Sequence, residues 1–490
     1  MPYRLLCIVV VVLFGLMTLI GCGGGDNGPG FGQVKGHIYL SPATKSISTT
    51  DTGTHAVGAE IFLLGTSLSA QTDANGFFLL THVPAGTHTL LVTAAGYQST
   101  TLAAPVTTGK TLDISTSTPT PITRKWMILV YMNADNDLEQ FGMLNMNQME
   151  SAPSNDNVSV VVQMARSPMY DTSDGNWSGT RRYLVQHDTD ATTMHSLLLQ
   201  DMGSIDMGQP TTLHDFIAWG QQTFPAEHYL VVVWDHGSGV LPSTIGPLIT
   251  RGVSFDSTYN SFIHTIDLNT ALTASPAVDV VAFDTCETQM AEIAYQIRST
   301  CQYIVASEGD TPGSGYPYQK WLTTLATTPS LTPRDLAVVI EKSMGDYYPG
   351  TAGVEQAVID TSQLDSLATA VDTLAGSLIS VAGSDATQLA AARYGADHYA
   401  GSDYRDLLVY TNLVKASVTD TAVQSAVTGV ATAVHNAVIA EYHANDHPNV
   451  CGLSIYLPDA TTFTTTTNEY RPLAFSQRTR WADWIAAQQQ

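Results

Sequence analysis

Three short runs of almost unbroken apolar residues limit most strongly what this chain can become: Trp126 to Met132, Tyr229 to Trp234 and Val278 to Phe283. A strand with one wet face alternates apolar and polar residues, because successive side chains point to opposite faces. A strand that is apolar throughout must be covered on both faces, as in a parallel sheet held between helices. The intervening sequence agrees. Leu138 to Met149, Leu213 to Thr223 and a stretch from about Glu287 carry helical patterns, and Met143, Met146 and Met149 fall on one helix face. Val158 to Met164, Arg181 to Val185 and Tyr303 to Ala306 read as further strands. The expected fold class is α/β, a mostly parallel sheet flanked by helices. Its last third is Ala-rich and mainly helical, with a late strand over Gly452 to Leu457.

The N-terminal part reads differently. Over residues 33–117, short alternating strands (Val34 to Leu40, Ala59 to Leu63, Phe77 to Leu80, Thr87 to Val92) are separated by turn sequences at Thr72–Gly76 and Val83–Gly86. That spacing predicts an all-β sandwich, with Asp73 and Asn75 as turn formers. The runs "TDANGFF", "VPAGTHTL" and "AAGY" resemble the carboxypeptidase-regulatory-like module, which implies a spacer or binding accessory. The expected organisation is a targeting segment (1–22), a Gly-rich tether (23–32), the sandwich (33–117), a Ser/Thr/Pro linker (118–123) and the α/β domain (124–490). Roughly 100–200 residues per domain allows two to four units, which accommodates this division.

The targeting segment begins with Arg4, continues almost wholly apolar from Leu5 to Ile20, and ends in Leu19-Ile20-Gly21-Cys22. The last four residues resemble a bacterial lipobox. That resemblance implies acylation of Cys22 and an exported protein of the bacterial cell envelope, held to a membrane by an N-terminal lipid. No other segment is expected to be apolar enough to span a bilayer. The formal net charge is −24, from 20 basic and 44 acidic side chains. This argues against nucleic acid as a partner, since phosphate binding needs basic surface, and it would steer cationic substrates inward. Apart from Cys7 and Cys22, the cysteines are Cys286, Cys301 and Cys451. Three is an odd number, so they make no disulfide scaffold and at least one thiol is free. A Cys301–Cys451 pair is left open.

In open α/β sheets, ligands bind outside the carboxyl ends of the strands. Two such ends carry the residue types of nucleophilic catalysis: Trp234-Asp235-His236-Gly237-Ser238-Gly239 and Phe283-Asp284-Thr285-Cys286-Glu287. A Cys where a strand becomes a helix should meet backbone N–H groups and the positive helix end, which favour thiolate. A nearby His can move the proton. Glycines after His236 would let a backbone N–H approach a carbonyl oxygen closely. Alone, these features fit a buried Cys acting as a small hydrophobe and a core His better than a catalytic pair.

The surrounding runs add more. "WMILVYMNADNDLE", "YLVVVWDHGSG", "DVVAFDTCETQMAEIAYQI", "YIVASEGDTPGSGYPY" and "GLSIYLP" resemble, in family order, the clostripain-like cysteine peptidases of the caspase, gingipain and legumain clan. The resemblance implies His236 as the catalytic His, Cys286 as the nucleophile, and the N–H groups of Gly237 and Cys286 as the oxyanion site. It also implies Asp284 as part of a pocket for a basic substrate side chain, hence peptides with Arg or Lys as substrates. Processing between the His and the Cys in some members makes Arg251 a candidate self-cleavage point. No cofactor is required. Calcium accompanies some members and stays open.

Other patterns point elsewhere. Asn133 to Asp137 superficially suggests a calcium loop, but the sixth and twelfth positions are Leu138 and Leu144 rather than Gly and Glu, so helix capping is expected. His443 and His447 have helical spacing without the Glu of a zinc protease. Ser238 lies in Gly-Ser-Gly, not in the elbow of serine hydrolases. The rival reading is a non-catalytic surface-binding lipoprotein on the same fold.

Overall fold

A computed structural model describes residues 30–488 apart from 52, 67, 95, 116, 118, 122–123, 154, 156, 241–242, 246–247, 251 and 399–402. Cys22, with the rest of the N-terminal segment, and Arg251 lie outside the described residues.

The large sheet has nine strands: β1 (Arg124–Ala134), β2 (Val158–Arg166), β3 (Gly179–Leu184), β4 (Leu197–Gly203), β5 (Ala226–Trp234), β6 (Val280–Asp284), β7 (Tyr303–Ala306), β8 (Glu355–Asp360) and β9 (Val438–His443). Their order across the sheet is β4-β3-β2-β1-β5-β6-β7-β8-β9. The five strands from β2 to β7 are parallel, and both margins are antiparallel, which makes the sheet mixed. The apolar runs account for the middle. Along β1 and β5, Met127, Leu129, Tyr131, Val231 and Val233 enter one core. Their neighbours Trp126, Ile128, Val130, Met132, Leu230 and Val232 enter the other. The period-2 alternation therefore feeds two buried faces. Helices Pro210–Thr223, Ala291–Ile297, Leu364–Val381 and Thr421–Ala437 cover one face. Glu139–Glu150, Tyr318–Thr327 and Pro333–Tyr347 cover the other, and Met143, Met146 and Met149 point into it as expected.

Three expectations change. The late strand is short, Ser454–Tyr456, and pairs with Tyr404–Asp406 outside the large sheet. The helix after β6 starts at Ala291, not near Glu287. The intervening N–H groups turn to the loop after β7 instead: Glu287 donates to Gly309, and Thr288 and Gln289 to Ser307. Finally, Thr361–Val381 is long and apolar enough to cross a membrane by length and composition. It packs its Leu364, Leu367, Val371, Leu374 and Leu378 into the core, and so behaves as a buried helix of the domain.

The N-terminal sandwich packs a three-stranded sheet containing Phe31–His37 and Phe77–Pro84 against a five-stranded one containing Glu60–Leu63, Gly86–Ala94 and Tyr97–Val106. Asp73 accepts the N–H groups of Asn75 and Phe77, the turn role expected of it. Thr120–Pro121, within the expected linker, adds to the larger sheet. The module is docked rather than tethered. Phe62 and Leu91 share a core with Phe216 and Phe224, and the Gly65 N–H reaches the Gln186 side chain at 3.2 Å. A cavity of about 450 Å³ between the two parts is lined by Thr87, His88, Arg124 and Val158. Arg124 and Val158 begin β1 and β2, so the module occupies the end of the sheet opposite the strands' carboxyl ends.

Candidate active site

β5 and β6 are parallel neighbours with Trp234 opposite Asp284, and the Asp235 N–H still donates to the Asp284 carbonyl at 3.3 Å. Two residues further along each chain stand His236 and Cys286. The register of a buried, largely apolar strand pair thus delivers both residue types to the same edge. Gly237 then crosses the Cys286 backbone. A Cβ at this position would lie 2.2 Å from the Cys286 carbonyl oxygen and 3.1 Å from its nitrogen, so only glycine fits. Neither the Gly237 nor the Cys286 N–H donates to a backbone carbonyl among the described residues. Both remain able to donate to a third group.

The His loop is braced on two sides. The Asn136 side chain donates to Asp235 at 2.7 Å, and His236 Nε2 lies 2.8 Å from Asp137 Oδ1. From the other side, the Tyr404 hydroxyl donates to the Ser238 carbonyl at 2.8 Å. Ser238 itself is buried, with its Oγ accepting the Gly252 N–H. It is a structural residue.

Cys286 is half-buried, and its sulfur accepts the Thr311 N–H at 3.4 Å. The thiol does not have the environment expected of it. Burial pushes it up to about 12, with Asp310 adding to the rise and Glu287 contributing less, against the lowering effect of the Thr311 N–H. The helix terminus expected to favour thiolate is not there, because the helix begins five residues later, at Ala291.

Asp284 caps no helix. Its side chain is buried, accepts the Tyr316 N–H at 3.1 Å and receives the Tyr318 hydroxyl at 2.9 Å. Gly315, at φ +63, closes over it, and a Cβ there would sit 2.7 Å from Asp284 Oδ2. Asn145 completes the wall, donating to the Ser314 carbonyl and accepting from the Trp234 indole. Burial raises the Asp284 carboxyl to about 7, offset in part by the Tyr316 and Tyr318 hydrogen bonds.

The remaining candidates separate from this site. Asn136 caps locally, accepting the Leu138 N–H, whereas Asp137 turns to His236. Among the described residues no group of three or more His, Cys, Asp or Glu side chains is arranged to hold a metal. His443 ends a strand and pairs with Glu441, so the helical spacing with His447 is not realised. Cys301 and Cys451 are both buried and free. Asp310 and the Gly315–Tyr318 wall were not singled out from the sequence, although both lie inside the run from Tyr303 to Tyr318 that resembles the family, and Asp137 was expected only to cap a helix.

Residues 130–487 match the profile of the Clostripain family. The chain belongs to that family. Residues 46–124 match the CarboxypepD_reg-like domain. A curated relative, clostripain from Hathewaya histolytica, is 25% identical over 218 residues, which are 40% of this chain and 41% of that one. The chain therefore spans about two fifths of that relative's length. Among solved structures, an inactive zymogen of a C11 protease from Parabacteroides distasonis aligns over 74% of this chain and 99% of its own, with TM-score 0.56 and 21% identity. A secreted C11 cysteine protease from Bacteroides thetaiotaomicron, in complex with an irreversible peptide inhibitor, aligns over the same shares with TM-score 0.55 and 20% identity. Both likenesses extend the clostripain-family fold over nearly the whole of those chains.

Proposed function

We propose that this clostripain-family chain is an exported cysteine endopeptidase that cuts after basic residues. The observation that carries this reading is the pairing of Trp234 with Asp284, which brings His236 and Cys286 to one edge with the Gly237 backbone across Cys286. In the proposed reaction His236 takes the thiol proton as sulfur attacks the scissile carbonyl, and the N–H groups of Gly237 and Cys286 hold the oxyanion. The C–N bond breaks as His236 passes that proton to the leaving amine, leaving a thioester. Water then attacks the thioester and gives a proton to His236, the C–S bond breaks to release the carboxylic acid, and His236 passes that water-derived proton to sulfur. No cofactor enters. Asp284, beneath Gly315, receives a cationic side chain, and Arg can engage it through two N–H groups.

Cys22 carries the lipid in this reading and holds the protein at the bacterial envelope. Mass spectrometry should find an acylated Cys22 as the mature N-terminus, and an unmodified Cys22 would remove the anchor. Arg251 is the self-cleavage point. A nick there in wild type, absent from Cys286→Ala, supports it, and a nick that survives Cys286→Ala overturns it.

The peptidase reading is tested with a peptide electrophile ending in Arg, followed by peptide mapping. The expected adduct is on Cys286 and not on Cys301 or Cys451. Absence of any adduct at Cys286 would favour the binding-protein alternative.

A further inference from the structure

His236 has only one ring nitrogen committed. Nε2 lies 2.8 Å from Asp137 Oδ1, and among the described residues no hydrogen bond engages Nδ1. A carboxylate can only accept, so this contact puts the neutral ring's proton on Nε2 and leaves a lone pair on Nδ1. Asp137 does little else. It is the last residue before the turn into Glu139–Glu150, with a side chain 64% exposed. The capping contact at that turn comes from Asn136 instead, through the Leu138 N–H. Asn136 also ties the same turn to Asp235, the residue before the His. One short loop therefore sets both the backbone position of His236 and the orientation of its ring.

We infer that Asp137 is the positioning residue of the dyad: it fixes the ring and tautomer of His236 so that Nδ1 takes the Cys286 proton and returns it to the leaving amine. This rests on the peptidase reading above. The need for such a residue follows from the nucleophile. A preformed thiolate would ask little of the His, but burial and Asp310 both push the Cys286 thiol up, so the base that takes its proton has more to do. A carboxylate on the far nitrogen steadies the cationic ring formed in that step. Water reaches Asp137, so its contribution is that of a screened pair, a fraction of what a buried carboxylate supplies.

The experiment compares full-length wild type with Asp137→Ala, Asp137→Asn, Asp137→Glu and His236→Ala on a fluorogenic Arg peptide, as kcat, KM and pH profile. The expected result is a fall in kcat of about three- to tenfold for Asp137→Ala, with KM unchanged. The acid limb of kcat/KM moves to lower pH, and high salt shrinks the difference from wild type. Asp137→Asn keeps a hydrogen-bond acceptor without the charge and so still shifts the limb, whereas Asp137→Glu restores it. His236→Ala is inactive. If His236→Ala is inactive but Asp137→Ala matches wild type in kcat and acid limb, this inference falls and the peptidase reading stands. If Asp137→Ala loses rate with the limb unmoved and no rescue by Glu, Asp137 is merely structural and the inference also falls. If His236→Ala keeps wild-type activity, the dyad itself is wrong. Melting curves confirm that the variants fold, as expected for an exposed side chain.

Discussion

Trp234 and Asp284 face each other as the last paired residues of two parallel strands, and the catalytic candidates His236 and Cys286 stand two positions beyond them. Strand register therefore fixes how the two loops meet. The tightest point of that meeting is Gly237. Gly237→Ala forces its Cβ onto the Cys286 carbonyl, a backbone atom that cannot move aside cheaply. The expected outcome is a loss of about 10²–10³ in kcat, the scale of losing one oxyanion donor. Steady-state kinetics with a parallel melting curve check it: lost activity in a folded protein is expected, and full activity would contradict the close approach.

Asp284 links specificity to pH. Its carboxyl is raised by burial to about 7, above its value in an unfolded chain. The native state thus holds a proton that the unfolded chain has released. Stability from this group is complete at low pH, declines as pH rises from about 4 towards 7, and is level above that. Asp284→Asn removes the titration, so its melting temperature relative to wild type should be higher at pH 8 than at pH 5. A helix-capping residue would show the reverse, a loss of about 1 kcal/mol in the variant at neutral pH.

The same substitution separates recognition from stability. Asp284→Asn should lower kcat/KM for Arg peptides by about 2–4 kcal/mol in transition-state terms, leaving Ala peptides little affected. Equal loss on both peptides would place Asp284 in the scaffold alone.

Asp310 pushes the Cys286 thiol up, second only to burial. Asp310→Asn should therefore speed alkylation of Cys286 by iodoacetamide about three- to tenfold at pH 8–9. The rate of adduct formation, mapped to Cys286, is the measurement. An unchanged rate would leave burial as the sole cause.

Much of this architecture is legible in the sequence, for a stated reason. The runs around Ile128, Val232 and Val281 are apolar at almost every position, and burial on both faces is the physical home for them. Strand ends carrying "DHGSG" and "DTCE" then locate the candidate site by the rule that parallel sheets present ligands at their carboxyl ends. Local patterns do not report how distant loops meet. Asp137 looked like a helix cap, and only the fold brings it to a His far along the chain. Glu139, read as part of the same helix, makes a fully buried ion pair with Arg166 at 2.7 Å. The helix expected from Glu287 fails likewise, because long-range hydrogen bonds to Ser307 and Gly309 claim its first N–H groups. That displacement is also why the thiol lacks the helix terminus that would have lowered it.

The measurement closest to the central claim is kcat/KM on a fluorogenic Arg peptide for wild type, Cys286→Ala and His236→Ala. The dyad predicts turnover by wild type, none above background in either variant, and unchanged melting temperatures. Wild-type turnover that survives in Cys286→Ala would contradict it.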